Sequence, residues 1–163
     1  MITFNADEVF EMAEQIERNG AAFYREAAEN FRGLDLSKVL LDLAAMEDDH
    51  EREFRAMRLE LVPKLRTEEK FDPTGEGALY LHAMVHGKVF DPKAEPARKL
   101  AGSAKPGDIL RIAIEMEKNS IVFYLTVKKM VRFLAGQSRI DDIIEQELGH
   151  IATLSKQLAT VGN

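Results

Sequence analysis

The sequence has no cysteine and no tryptophan. Without thiols there is no disulfide framework, zinc ribbon, iron–sulfur cluster or thiol nucleophile. No apolar run approaches the ~20 residues needed to span a bilayer. The start, Met1-Ile-Thr-Phe-Asn5, lacks a basic segment followed by an apolar stretch. Neither a membrane partner nor a secretory route is expected, and the default location is cytoplasmic. Positive charge is scarce as well. The 22 Lys and Arg face 28 Asp and Glu, a net charge of −6, so nucleic acid, which calls for a basic surface, is not an expected partner. The remainder, 163 residues at 45% hydrophobic and 31% charged, is the composition of one globular domain with a full core, taken as residues 1–163.

Helix breakers are unevenly placed. Four of the five Pro and five of the ten Gly lie between residues 66 and 107. On either side the chain favours helix. Helix A is expected over 6–31, with Asn5 as N-cap and Glu8 closing a capping box. A turn at Arg32-Gly-Leu-Asp-Leu36 leads into helix B, 37–65, so that residues 6–65 form one hairpin. Helix C, 107–134, starts at Pro106, and Gly136 is read as a break before helix D, 138–161, giving a second hairpin over 107–161. The crossover 66–106 is expected to hold a short helix at 75–87 and a helical scrap at 94–100. The fold class is all-α: a four-helix bundle with a long B–C crossover, since chain that must run the full length of a bundle needs a connection of this size.

Each long helix carries a core-facing stripe at alternating three- and four-residue spacing. The stripes are Phe10, Ala13, Glu17, Gly20, Tyr24, Ala27, Phe31 on A, and Leu40, Leu43, Glu47, His50, Phe54, Met57, Leu61 on B. On C they are Leu110, Ala113, Glu117, Ser120, Tyr124, Val127, Val131, and on D Ile140, Ile143, Glu147, His150, Leu154, Gln157, Val161. Every stripe is apolar or small except for a carboxylate in mid-helix. The two halves also repeat at an offset of 100 residues, with Glu17, Tyr24, Glu47 and His50 answered by Glu117, Tyr124, Glu147 and His150.

The turns set the depth of these residues. In two antiparallel hairpins each lone Glu lies level with the neighbouring Glu-x-x-His pair, whose members share a helix face. Four carboxylates and two imidazoles therefore meet at one level of the bundle. Buried carboxylates left ionised cost several kcal/mol each, and no Lys or Arg occupies a stripe position. Two divalent cations would balance the four negative charges. The donors, Glu17, Glu47, His50, Glu117, Glu147 and His150, suit iron or manganese, with zinc able to occupy the same set.

On these residues the chain resembles the rubrerythrin branch of the ferritin-like superfamily, over all four long helices: Glu17 with Phe23-Tyr24, Glu47-Asp-Asp-His50, Glu117 with Phe123-Tyr124, and Glu147-Leu-Gly-His150. Ferritin-like carboxylate proteins build their metal site from one Glu on each of two helices and Glu-x-x-His on each of the other two. The resemblance implies a non-haem di-iron centre that reacts with hydrogen peroxide or dioxygen. Glu47 and Glu147 would bridge or ligate the irons, Glu17 and Glu117 would be terminal carboxylates, and His50 and His150 nitrogen ligands. Tyr24 and Tyr124 would hydrogen-bond ligand carboxylates. The implied function is an oxidoreductase that reduces peroxide, or uses peroxide or dioxygen to oxidise ferrous iron; the alternative is an iron-binding or trafficking protein without turnover.

Two features depart from the pattern. Rubrerythrins with a Cys-ligated rubredoxin domain pass electrons within one chain, whereas here a separate electron-donor protein is implied. Rubrerythrins also carry a second Glu one turn after the helix-C ligand, where this chain has Ser120. A homodimer is compatible with the pattern but not required by it. Glu53 is read as an exposed or supporting carboxylate, and His82 and His86 as packing or surface residues despite their metal-pair spacing.

Overall fold

The computed structural model describes residues 4–65, 75–86, 105–131 and 134–161. Among them are five helices and no strand: α1 (Ala6–Glu29), α2 (Asp35–Leu65), α3 (Glu76–His86), α4 (Pro106–Met130) and α5 (Leu134–Val161). Helix α1 begins on the expected capping box. The Asn5 side chain accepts from the Glu8 amide and Glu8 accepts from the Asn5 amide, both at 2.9 Å. It ends earlier than expected, with Asn30 as C-cap. Gly33, at φ 82°, takes the left-handed conformation that turns the chain, and the Ser37 hydroxyl ties α2 back to the Ala28 carbonyl at 2.9 Å. Pro106 occupies the first turn of α4, where its missing N–H costs nothing.

Three expectations need correction. Helix α4 stops at Met130, not 134, because Val131 is extended at φ −83°, ψ 115°. Helix α5 begins at Leu134, not 138, and Gly136 lies inside it rather than breaking it. The glycine is there for space: a Cβ at Gly136 would come within 2.8 Å of both Leu61 Cδ1 and Val131 Cγ1. The stripe on the last helix also fades, since Gln157 is only half-buried and Val161 is exposed, whereas the other stripe residues of the four long helices are buried. The short helix expected at 75–87 is α3, and the scrap expected at 94–100 lies outside the described residues.

Helix α1 packs along α2 and α4 along α5, and the two hairpins meet through α1 against α4 and α2 against α5. Helix α3 lies on α4. Cross-helix pairs fix the directions. Arg58 reaches Asp7 at 2.8 Å and Arg18 reaches Glu51 at 2.9 Å, so α1 and α2 are antiparallel. Arg139 of α5 bonds Glu60 of α2 at 2.9 Å and also pairs with Glu53. No described helix is long and apolar enough to cross a membrane.

The core forms two apolar layers. One contains Phe10, Phe54, Met57, Leu61, Val127 and Ile140. The other contains Ala27, Leu40, Leu43, Leu110, Ala113 and Leu154. The mid-helix carboxylates fall between them, so side-chain packing closes the site above and below.

The glycines of α5 provide a paired test. Gly136→Ala should destabilise the protein by about 1–2 kcal/mol, because the contacts of the added methyl outweigh its helix propensity. Gly149→Ala, with nothing within 4 Å of its Cβ, should stabilise by about 0.5–1 kcal/mol. Urea unfolding of the two variants measures both, and equal effects would remove the packing account of Gly136.

Candidate metal centre

Each of the four long helices delivers its stripe carboxylate to one place. Glu17 and Glu147 are fully buried at 0% exposure, His50 and His150 stand at 2%, and Glu47 and Glu117 at 4%. They form two overlapping groups, Glu17–Glu47–His50–Glu147 and Glu47–Glu117–Glu147–His150, within each of which one ligand atom per residue lies within 4.8 Å of the others. Glu47 and Glu147 belong to both.

Glu147 divides its oxygens between the groups. Its Oε1 is 2.9 Å from His50 Nδ1 and its Oε2 is 2.9 Å from His150 Nδ1. Glu17 Oε2 stands 3.6 Å from His50 Nδ1. On the other side, Glu47 Oε1 and Glu117 Oε1 lie 3.1 and 3.4 Å from His150 Nδ1. The other oxygen of Glu47 faces α1, where a Cβ at Gly20 would stand only 2.8 Å from it. Gly20 is therefore the space into which the Glu47 carboxylate fits. The two imidazoles stack with centroids 5.5 Å apart and planes at 18°.

The tyrosines cross between hairpins. The Tyr24 hydroxyl donates to Glu117 Oε1 and the Tyr124 hydroxyl to Glu17 Oε1. Each thus holds the carboxylate of the opposite half rather than one on its own helix, and Glu17 keeps Oε2 free of any hydrogen bond.

The donor set fits cations. Glu17 Oε2, Glu47 Oε1, both Glu147 oxygens and the Nδ1 atoms of His50 and His150 are buried without a hydrogen bond, their close approaches lacking the alignment for one. Unsatisfied buried polar atoms are rare because each forfeits its hydration. Here they converge on a common centre, as ligand lone pairs do.

Without cations, protons must balance the charge. Burial pushes the Glu17 and Glu117 carboxyls well above the ordinary value, and neighbouring carboxylates add to this, while His50 and His150 respectively oppose it. Burial alone would depress the histidines, but Glu147 and Glu17 raise His50 to about 11, and Glu117, Glu147 and Glu47 raise His150 to about 12. Burial would raise Glu147, yet His150 and His50 hold it below the ordinary range. Burial raises both tyrosine hydroxyls, reinforced by Glu117 at Tyr24 and by Glu17 at Tyr124.

Other sequence candidates sit elsewhere. Glu53 is paired with Arg139. His82 on α3 is in neither donor group, and the side chain of His86 lies outside the described residues. Sequence reasoning missed the supporting role of Gln146, whose Oε1 is 3.1 Å from His50 Nε2. It precedes Glu147 and is off the buried stripe, so periodicity gave no signal. Gly20 was visible only as a small stripe residue, its counterpart at the 100-residue offset being Ser120.

With this geometry in place, comparisons define the class. The fold is similar to a solved structure from Thermotoga maritima described as a ferritin-like diiron-carboxylate protein, with a TM-score of 0.71 and 22% identity, covering 98% of this chain and 97% of that one. The all-helical architecture is therefore a ferritin-like fold. A family model for rubrerythrin matches residues 8–158, and the chain belongs to the rubrerythrin family. No curated protein matches the sequence significantly.

Two predictions follow from the geometry. His50 and His150 have native values of about 11 and 12 against an ordinary 6.5, so across that interval the native state holds more protons than the unfolded chain. The stability of the metal-free protein should accordingly fall as pH rises through it, and the raised carboxyls act in the same direction. Cations must displace these protons, so their affinity should rise with pH. The Tm gained on adding saturating Mn(II) should widen from about pH 6 to about pH 8, and a narrowing gain would contradict the proton–metal competition. Gly20→Ala should weaken Mn(II) binding by about tenfold or more through displacement of Glu47, while Ser120→Ala leaves it within about twofold. Equilibrium dialysis compares the two.

Proposed function

We propose that this protein is a non-haem di-iron oxidoreductase of rubrerythrin type, which reduces hydrogen peroxide or uses peroxide or dioxygen to oxidise ferrous iron. The observation that supports this most directly is the pair of buried donor sets sharing Glu47 and Glu147, with unpartnered oxygen and nitrogen atoms aimed inward. Glu17 and Glu117 would hold the ions as terminal carboxylates, Glu47 and Glu147 would bridge or ligate them, and His50 and His150 would be nitrogen ligands.

A bound pair of ferrous ions supplies the two electrons that convert one peroxide and two protons to two waters. The chain's own groups prepare the place for this. Tyr24 and Tyr124 hold Glu117 and Glu17 at Oε1 and leave the second oxygen of Glu17 for a cation. Burial raises both phenols above the ordinary value, which favours the protonated form that donates to these carboxylates. The apolar layers on either side limit water, which strengthens every electrostatic contact inside. A separate donor protein returns the electrons. Iron binding without turnover is the second reading, favoured by Ser120: its hydroxyl turns back to the Met116 carbonyl at 3.1 Å and brings no carboxylate to the centre.

Anaerobic loading with two equivalents of Fe(II), followed by peroxide or dioxygen, distinguishes these readings. Rapid oxidation at two irons per chain, reversed by chemical reductant over many cycles, is the expected result. Slow reaction with retained Fe(II) would favour trafficking. Glu47→Ala or Glu147→Ala should abolish paired loading and His82→Ala should leave it intact; the reverse pattern would remove the site assignment.

A further inference from the structure

The two donor sets are related by the sequence repeat, yet their histidines are held differently. His50 Nε2 lies 3.1 Å from Gln146 Oε1, across the α2–α5 interface. The same amide donates through its nitrogen to the Asp142 carbonyl at 3.3 Å, which turns its oxygen toward His50. An amide oxygen only accepts, so a proton stays on His50 Nε2, and Nδ1, which faces Glu147 and Glu17, is the nitrogen left to give up its proton and ligate. That is the tautomer a metal ligand needs.

His150 has no such support. Its Nε2 is buried without a hydrogen-bond partner among the described residues. At the position 100 residues before Gln146 stands Met46, whose thioether is a weak acceptor. Ligation through His150 Nδ1 therefore proceeds without a second partner to fix the ring and raise the basicity of its ligating nitrogen, and part of its strength as a ligand is lost. His50 meets no such loss.

We infer that Gln146 is a positioning residue that makes the two metal sites unequal, so that the Glu17–His50 site fills before the Glu117–His150 site and holds its ion more tightly. The inference rests on the two-metal reading proposed above. It concerns the order and strength of binding rather than turnover. Metal ligands whose second ring nitrogen loses its partner typically bind 10- to 100-fold more weakly, and this sets the expected size of the difference.

Titration of the metal-free protein with Co(II), followed by visible absorption and equilibrium dialysis, should give two steps per chain separated by about tenfold or more. Gln146→Met puts the residue of the other repeat at this position, and should weaken the first step by about 10- to 100-fold so that the steps merge. Gln146→Glu keeps an acceptor oxygen and should retain two steps, while Met46→Gln should tighten the second. In Zn(II)-loaded protein carrying 15N-labelled histidine, the His50 Nε2 proton should exchange slowly and lose that protection in Gln146→Met. Gln146 itself is exposed, so the metal-free Gln146→Met protein should stay folded, its thermal transition lowered only by the lost partner of His50. Two equal steps in the parent would overturn the inference and leave the two-metal reading intact. So would an unchanged first step in Gln146→Met at full stoichiometry. Failure to bind Co(II) stoichiometrically would overturn both.

Discussion

Charge burial governs this structure. Four carboxylates and two imidazoles occupy an interior bounded by two apolar layers, where ions separated from water cost several kcal/mol each unless compensated. Among the described residues no lysine or arginine compensates the cluster, which is made of glutamates, histidines and the tyrosines beside them. Two ways of neutralising it remain. Protons can do it, and the raised Glu17, Glu117, His50 and His150 show where they would sit. Divalent cations can do it with less residual strain, because they also satisfy the carboxylate oxygens and ring nitrogens that protons leave unpaired.

The same constraint explains how the hairpins are joined. One donor group draws on α1, α2 and α5 and the other on α2, α4 and α5. Neither hairpin alone contains a complete group. The tyrosines add a second set of links, since Tyr24 of α1 holds a carboxylate of α4 and Tyr124 of α4 holds one of α1. These links tie the hairpins together at the level of the site, and cations bound there would cross-link them further. Metal binding and the docking of the two halves would then be one coupled equilibrium.

Much of this was legible in the sequence because periodicity reports which face of a helix is buried. The stripes locate Glu17, Glu47, His50, Glu117, Glu147 and His150 on core-facing positions, and the structure brings them together. Periodicity does not report what lies opposite. The spacing placed Tyr24 on the face of Glu17, but its hydroxyl reaches Glu117, a partner set by how the hairpins dock. Gly136 was misread for a related reason. Glycine at a turn and glycine at a close helix contact look alike in one dimension, and only the proximity of Leu61 and Val131 separates them. Arg139, which binds Glu53 and Glu60 across α2 and α5, was likewise invisible, since exposed positions follow no stripe.

The repeat also shows how a duplicated scaffold becomes asymmetric without altering its ligands. All six donors match across the 100-residue offset, whereas many residues around them do not, Gly20 and Gln146 among them. Gly20 clears space for Glu47 on the α1 side, and its counterpart Ser120 carries a side chain. Gln146 supports His50, and its counterpart Met46 cannot offer His150 an equivalent acceptor. The Gln146 difference favours the group that contains Glu17 and His50, whereas Gly20 serves Glu47, which belongs to both groups. Equal donor sets would bind two ions with equal intrinsic affinity, and only repulsion between the cations would separate the steps. Differences placed just behind the ligands add a fixed preference to that repulsion. The preference belongs to the protein and is present before any ion arrives, because the Gln146 amide is already turned toward His50 by the Asp142 carbonyl.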